Sequence, residues 1–336
     1  MVLVKALALL IFGFIILVKG ADFLVDGASA LAKRFNISDM IIGLTIVSFG
    51  TSLPELVVNL DAAFKGSNDM ILGNIIGSNI YNTCLILGAS GIIYPLVVSK
   101  TTLQKEFPFS VAIILLLFLL ANDTLFGSSD NFLSHVDGFI MLSLFLLFFL
   151  YIAYDVKKSN KSKTDDEEQL EGEESIPIPK STLLIVIGGI GLYFGGGLIV
   201  ENAKIIAEMA QLSERVIGLT VVAIGTSLPE LMTSVVAAFK KNSDIAIGNV
   251  IGSNIFNILL VLGVSASVSP EIIQYDVASN FDLYFLLFST ALLFFFLFTG
   301  TKGTVKEGKK FYLIDKWQAA ILLVIVVGYT IWVLIS

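Results

Sequence analysis

Apolar residues run through this chain in long stretches, each closed by turn residues or by Lys and Arg. A helix needs about 20 such residues to cross a hydrocarbon layer of roughly 30 Å. Stretches of this kind stand near 2 to 20, 40 to 64, 71 to 98, 107 to 121, 132 to 154, 182 to 200, 216 to 239, 245 to 268, 281 to 299 and 317 to 335, which predicts ten transmembrane helices. Several of them carry Gly, Pro, Asn or Glu inside, groups that must face protein or a water-filled cavity because lipid cannot satisfy them. Composition agrees: 56% of the 336 residues are hydrophobic, against roughly 45 to 50% in soluble domains. The fold class is therefore an all-α membrane protein. Lys5, the apolar stretch to Val18 and Ala28-Ser29-Ala30 have the form of a cleavable signal peptide. Gly13 and Gly20 within it match Gly188 and Gly195 at the start of the second half, so the segment is read as a retained first helix.

That match is part of a duplication. Residues 43 to 88 align without a gap to 218 to 263 at a constant offset of 175, and 27 of the 46 positions are identical. GLTIVSFGTSLPEL at 43 to 56 recurs as GLTVVAIGTSLPEL at 218 to 231, and GNIIGSNIYN at 73 to 82 as GNVIGSNIFN at 248 to 257. Ser38-Asp39 and Ser213-Glu214 share the offset, each placed to cap the helix that follows. The chain divides into a first five-helix repeat at 1–154, an acidic linker at 155–180 and a second repeat at 181–336. Five is odd, so the second copy enters the membrane from the opposite side and the repeats are inverted. Lys and Arg agree: sixteen of the 21 fall in alternate loops from the first onward, and the other loops hold only Lys65, Lys204 and Arg215. By the positive-inside rule the linker is cytoplasmic and both termini are extracellular.

The net charge of −7 comes largely from Asp165 to Glu174 in the linker, a run expected to be solvated and disordered. No basic, aromatic-interleaved surface for nucleic acid is present, and no obligate protein partner is evident. Cys84 is the only cysteine, which excludes an intramolecular disulfide, and His135 is the only histidine and stands at a loop edge.

The chemistry lies in the repeated motifs. Glu55 and Glu230 fall near the middle of their spans, where a charge costs about 2.5 to 3.5 kcal/mol. Two carboxylates at that depth require protons or cations. Pro54 and Pro229 remove a helical N–H and free the carbonyls of Gly50 and Gly225, so these helices are expected to be broken at the midplane. Thr51 and Ser52 lie four and three residues before Glu55, on its face of a helix; Thr226, Ser227 and Glu230 repeat this. The second motif adds Asn74, Ser78 and Asn82 at i, i+4 and i+8, copied as Asn249, Ser253 and Asn257, beside G-x-x-x-G pairs that predict close helix packing. All of these are hard oxygen donors without a nearby thiol or imidazole, which suits Ca2+ and Na+ and disfavours zinc or copper.

The paired GTSLPE motifs, each followed by GN-x-x-GSN-I-x-N, resemble the cation/Ca2+ exchanger superfamily, and within it the prokaryotic Na+/Ca2+ exchangers. The resemblance spans essentially the whole chain. It implies ten helices in two inverted five-helix repeats, a core formed by the second, third, seventh and eighth, and the first and sixth sliding as a gating pair. It also implies that Glu55 and Glu230 are the central carboxylates, completed by Thr51, Ser52, Thr226, Ser227, Ser78, Ser253, Asn82, Asn257 and the backbone carbonyls of Ser48 and Ala223. Some relatives, K+-dependent exchangers among them, have Asp where this chain has Asn257, so the resemblance implies two carboxylates and no K+ transport. The implied function is secondary antiport of Ca2+ against Na+ across a prokaryotic cell membrane, with no cofactor beyond the transported ions. An H+/Ca2+ exchanger is the alternative, although proton-coupled relatives place Glu where this chain has Gly77 and Gly252. A passive channel fits the broken, duplicated helices less well, and no nucleophile and base pair suggests an enzyme.

Overall fold

The computed structural model describes residues 2–163, 176–210, 223–304 and 310–335. Helix α1 runs over Val2–Arg34. The next span is a pair, α2 (Asp39–Thr51) and α3 (Leu53–Phe64), bent by 46° at Ser52. Then come α4 (Asn68–Ile93), strand β1 (Leu96–Ser99), α5 (Lys100–Ala121), β2 (Phe132–Leu133) and α6 (His135–Lys163). The second half holds α7 (Ile178–Met209), the short turn α8 (Ala223–Thr226), α9 (Leu228–Phe239), α10 (Ser243–Val268), β3 (Ile273–Gln274), α11 (Val277–Thr299), β4 (Lys302–Thr304), β5 (Lys310–Ile314) and α12 (Lys316–Ile335). Among the described residues eight of these helices are long and apolar enough to cross a membrane and the bent pair is a ninth span. The shorter apolar α9 completes a count consistent with ten. The acidic run of the expected linker, and Ser213-Glu214, lie outside the described residues.

Two of the spans are mostly interior. Within their apolar stretches α4 is 78% and α10 94% buried, whereas α1 is 17% buried and shows Ile11, Phe12 and Ile15 to the surroundings. Outward apolar faces are what lipid requires, because lipid, unlike water, leaves nothing to gain by hiding them. The buried pair carries the Asn and Ser motif, and the GTSLPE residues Thr51, Ser52, Glu55, Thr226, Ser227 and Glu230 of the broken spans are buried as well, so the residues that lipid would reject sit where only protein touches them.

Helix α1 is longer than its apolar stretch, and so is α7, because polar residues such as Asp22 and Asp26 close the hydropathy signal without breaking the helix. At about 1.5 Å per residue, the 33 residues of α1 exceed what a bilayer needs. The two helices pack on a glycine seam. A Cβ at Gly20 would lie 2.8 Å from Leu192 N and 2.9 Å from Gly188 O, and one at Gly195 2.7 Å from Leu17 N. The repeated G-x-x-x-G pairs divide: Gly248 packs on Gly43 and Gly252 on Leu44 and Ser48, while Gly73 and Gly77 meet nothing within 4 Å. By the repeat their partners correspond to residues in 215–223, almost all outside the described ones.

The loops report sidedness. β1 pairs antiparallel with β5 through Leu96↔Ile314 to Ser99↔Phe311, and β4 extends that sheet. β2 pairs with β3, Lys105 Nζ lies 3.1 Å from Asp155 Oδ1, and Lys240 binds Asp22 and Asp26. Each contact joins segments that the alternation of spans puts on one face, as inverted repeats require.

Candidate cation site

Ser52 is where the first broken span turns. Its backbone, at φ −85° and ψ 7°, leaves the helix for one residue, and Ser227 has the same conformation at φ −84° and ψ 3°. Pro54 and Pro229 stand in the first turn of the helix that restarts, where a missing N–H costs nothing. Glu55 and Glu230 are therefore in the first turn of α3 and α9, a position that the helix dipole favours for an anion. S-x-x-E is a capping-box sequence, in which serine closes its own helix. Ser52 does not do so. Its hydroxyl donates instead to Glu230 Oε1 of the other repeat at 3.0 Å.

Both carboxylates are buried, Glu55 at 0% and Glu230 at 1% exposure. Ser253 donates to Glu230 Oε1 at 3.3 Å and lies 3.4 Å from Thr51 Oγ1. The Thr51 hydroxyl donates to Asn249 Oδ1 at 3.1 Å, and Thr226 donates to Asn74 Oδ1 at 3.2 Å. A hydroxyl that gives its proton away turns its lone pairs toward the cavity, as a cation ligand must. Asn249 is steadied by Ser234 Oγ at 3.0 Å and Glu230 O at 3.2 Å, Asn74 by Asn59 Oδ1 at 2.6 Å. The amides of Asn82 and Asn257 bind across the repeats, to Asn254 Oδ1 at 3.1 Å and Asn79 Oδ1 at 3.2 Å, leaving their own Oδ1 atoms inward.

What remains is a set of bare oxygens. Glu55 Oε1 and Oε2, Glu230 Oε2, Ser78 Oγ, Ser227 Oγ, Asn82 Oδ1 and Asn257 Oδ1 are all buried without a hydrogen-bond partner. One such group costs about 1 to 3 kcal/mol, and native structures leave few of them. Seven such oxygens come from the two repeated motifs, as carboxylate, hydroxyl and amide oxygen, the donor types that a hard cation takes.

Two expected ligands stand apart. Ser48 O already accepts Ser52 N at 3.0 Å and lies 3.3 Å from Thr51 Oγ1, and its hydroxyl has Gly43 O and, at 3.1 Å, Asn249 O within reach as acceptors, a contact between α2 and α10. Ala223 opens the turn α8, and its surroundings lie outside the described residues. Sequence reasoning missed the supporting amides. Asn79 and Asn254 are identical at the repeat offset, and Asn59 and Ser234 are polar one turn beyond each glutamate, signals that mark both pairs. Asn249→Ala is expected to lower stability by about 1 kcal/mol, in line with interhelical hydrogen bonds in membranes. It is also expected to raise the half-saturating Ca2+ several-fold, because Thr51 loses its acceptor. Thermal melting in detergent and 45Ca flux measure the two effects.

A lipid-facing helical bundle with duplicated broken helices, closing on two buried carboxylates and neutral oxygens, defines a secondary cation transporter. The family model described as sodium/calcium exchanger protein matches residues 5–154 and 180–335, and the chain belongs to that family. It is 38% identical to the putative antiporter CaxA of Alkalimonas amylolytica over 94% of this chain and 95% of that protein. It is 30% identical to the sodium/calcium exchanger MaX1 of Methanosarcina acetivorans over 96% and 97%. A solved structure of the sodium-calcium exchanger NCX_Mj superposes with a TM-score of 0.77 at 32% identity, covering 99% of both chains.

Proposed function

We propose that this protein exchanges Ca2+ for Na+ by alternating access, with Glu55 and Glu230 as the carboxylates that both ions share. The observation that carries the reading is the group of seven unpartnered oxygens drawn from both repeats. Two carboxylates neutralise one Ca2+ or two Na+ ions, so the ions compete for one charge balance. An empty site leaves two negative charges in a low-dielectric interior, which opposes movement of the unloaded protein and ties each crossing to a bound ion.

The site also breaks its own symmetry. Ser52 and Ser253 hydrogen-bond Glu230, yet their copies Ser227 and Ser78 leave Glu55 alone. A cavity of about 430 Å³ reaches Thr226 and Pro229 from one face, and inversion of the repeats would exchange the bonded and bare carboxylates. By the charge of its loops both termini lie outside, and its likeness to prokaryotic exchangers supports a prokaryotic cell membrane.

In proteoliposomes loaded with Na+ and diluted into Na+-free medium, 45Ca uptake above equilibrium is expected, and collapse of the Na+ gradient is expected to abolish it. Uptake that follows a pH gradient and ignores Na+ would transfer the assignment to proton exchange, and uptake that never exceeds equilibrium would make the protein a channel.

A further inference from the structure

The cavity that reaches Thr226 is walled by Pro54, Val200, Gly225 and Pro229 and their apolar neighbours, and carries one charged side chain, Glu201 of α7. Glu201 is exposed and forms no salt bridge among the described residues; Lys204, nearly one turn on, approaches Glu208 instead at 3.8 Å. At the repeat offset of 175, Glu201 corresponds to Asp26 of α1. Asp26 is not free. Lys240, at the end of α9, lies 2.7 Å from Asp26 Oδ1, pairs with Asp22, and donates to Asp22 O at 3.1 Å. Lys240 has its own copy in Lys65, which lies on the face of Glu201 and pairs within its turn with Asp61 at 2.6 Å. The same carboxylate and lysine thus occur on both faces, paired with each other on the face of Asp26 and not on the face of Glu201.

We propose that Glu201 is a further residue of the exchange reaction, a carboxylate that recruits cations into the access route from its face, with Asp26 as its counterpart on the opposite face. The inference rests on the exchange reading above. A carboxylate on a wall of low-dielectric side chains concentrates cations at the mouth of the cavity. Lys240 cancels Asp26 in this structure, and Lys65 is placed to do the same to Glu201 when α1 and α7 move.

The test uses right-side-out and inside-out membrane vesicles, so that Ca2+ meets one face at a time. For Glu201→Gln the half-saturating Ca2+ is expected to rise roughly tenfold, the order of one monovalent–divalent interaction across several ångströms of water, from the Glu201 face only. Asp26→Asn is expected to show the reverse sidedness. Glu201→Asp is expected to restore the wild-type value, and the shift to vanish in about 1 M choline chloride, where charges are screened beyond about 3 Å. Should Glu201→Gln fail to fold, Glu201→Cys is assayed before and after attachment of a sulfonate or an ammonium thiol reagent. Only the sulfonate is expected to restore affinity. No shift, an equal shift from both faces, or a shift that survives high salt overturns the proposal. A wild-type protein that shows no Na+-dependent uptake overturns the functional reading and this proposal with it, whereas normal wild-type exchange with an indifferent Glu201→Gln overturns this proposal alone.

Discussion

Glu55→Gln and Glu230→Gln are each expected to abolish Na+-driven Ca2+ uptake, with losses of two orders of magnitude or more. Glutamine keeps the volume of the side chain and one oxygen, so packing survives while a charge is lost. Ca2+ would then lie in the protein interior with one carboxylate in place of two, leaving a net positive charge near the midplane. A misplaced unit charge at that depth costs about 2.5 to 3.5 kcal/mol, which is a factor of about 70 to 400 in binding. The two variants differ in detail. Glu230 takes hydrogen bonds from Ser52 and Ser253, whose hydroxyls would lose a charged acceptor, so Glu230→Gln is expected to lose more thermal stability than Glu55→Gln, which takes no such bond from Ser227 or Ser78. Flux of 45Ca, equilibrium Ca2+ binding and melting temperature separate these effects. Either variant retaining a tenth of wild-type uptake would remove its carboxylate from the shared site.

A comparable loss is expected when the seam between α1 and α7 is filled. At Gly188 an added Cβ would stand 2.6 Å from Leu24 N and 2.8 Å from Gly20 O. Both are backbone atoms of a packed helix and cannot turn aside. Overpacking of a core costs about 1 to 3 kcal/mol even where side chains can adjust, so Gly188→Leu has to push the helices apart along their length. Exchange is expected to fall at least tenfold, together with thermal stability. Gly189, the next residue, meets nothing within 4 Å. Gly189→Ala is therefore expected to resemble the wild type in uptake and melting, and it controls for helix propensity, which favours the substitution. Equal losses in both variants would place the effect on the α7 backbone and not on the seam.

Much of this molecule was legible in order of residues alone. Spans follow from apolar length, because a bilayer imposes one thickness on every helix. The inverted repeat follows from an offset of 175 and an odd number of spans. Glu55 and Glu230 stood out because a charge in a membrane demands a reason. The break at Ser52 and Ser227 was also foreseeable, since proline's missing N–H acts through residues close in the chain. The ends of α1 and α7 were not, because a helix can continue through Asp22 and Asp26 after its hydropathy signal has stopped.

Tertiary structure decided the remainder, and for a common reason: each such feature depends on partners about 150 to 200 residues apart in the chain. Ser52 could have capped its own helix and donates across to Glu230 instead. Asn79 and Asn254 gain their part only when α4 and α10 meet, each as acceptor for an asparagine of the other repeat. Two nearly identical sequences have nearly identical local preferences, so they cannot by themselves state which glutamate is bonded and which is bare. That asymmetry exists only in how the two halves meet.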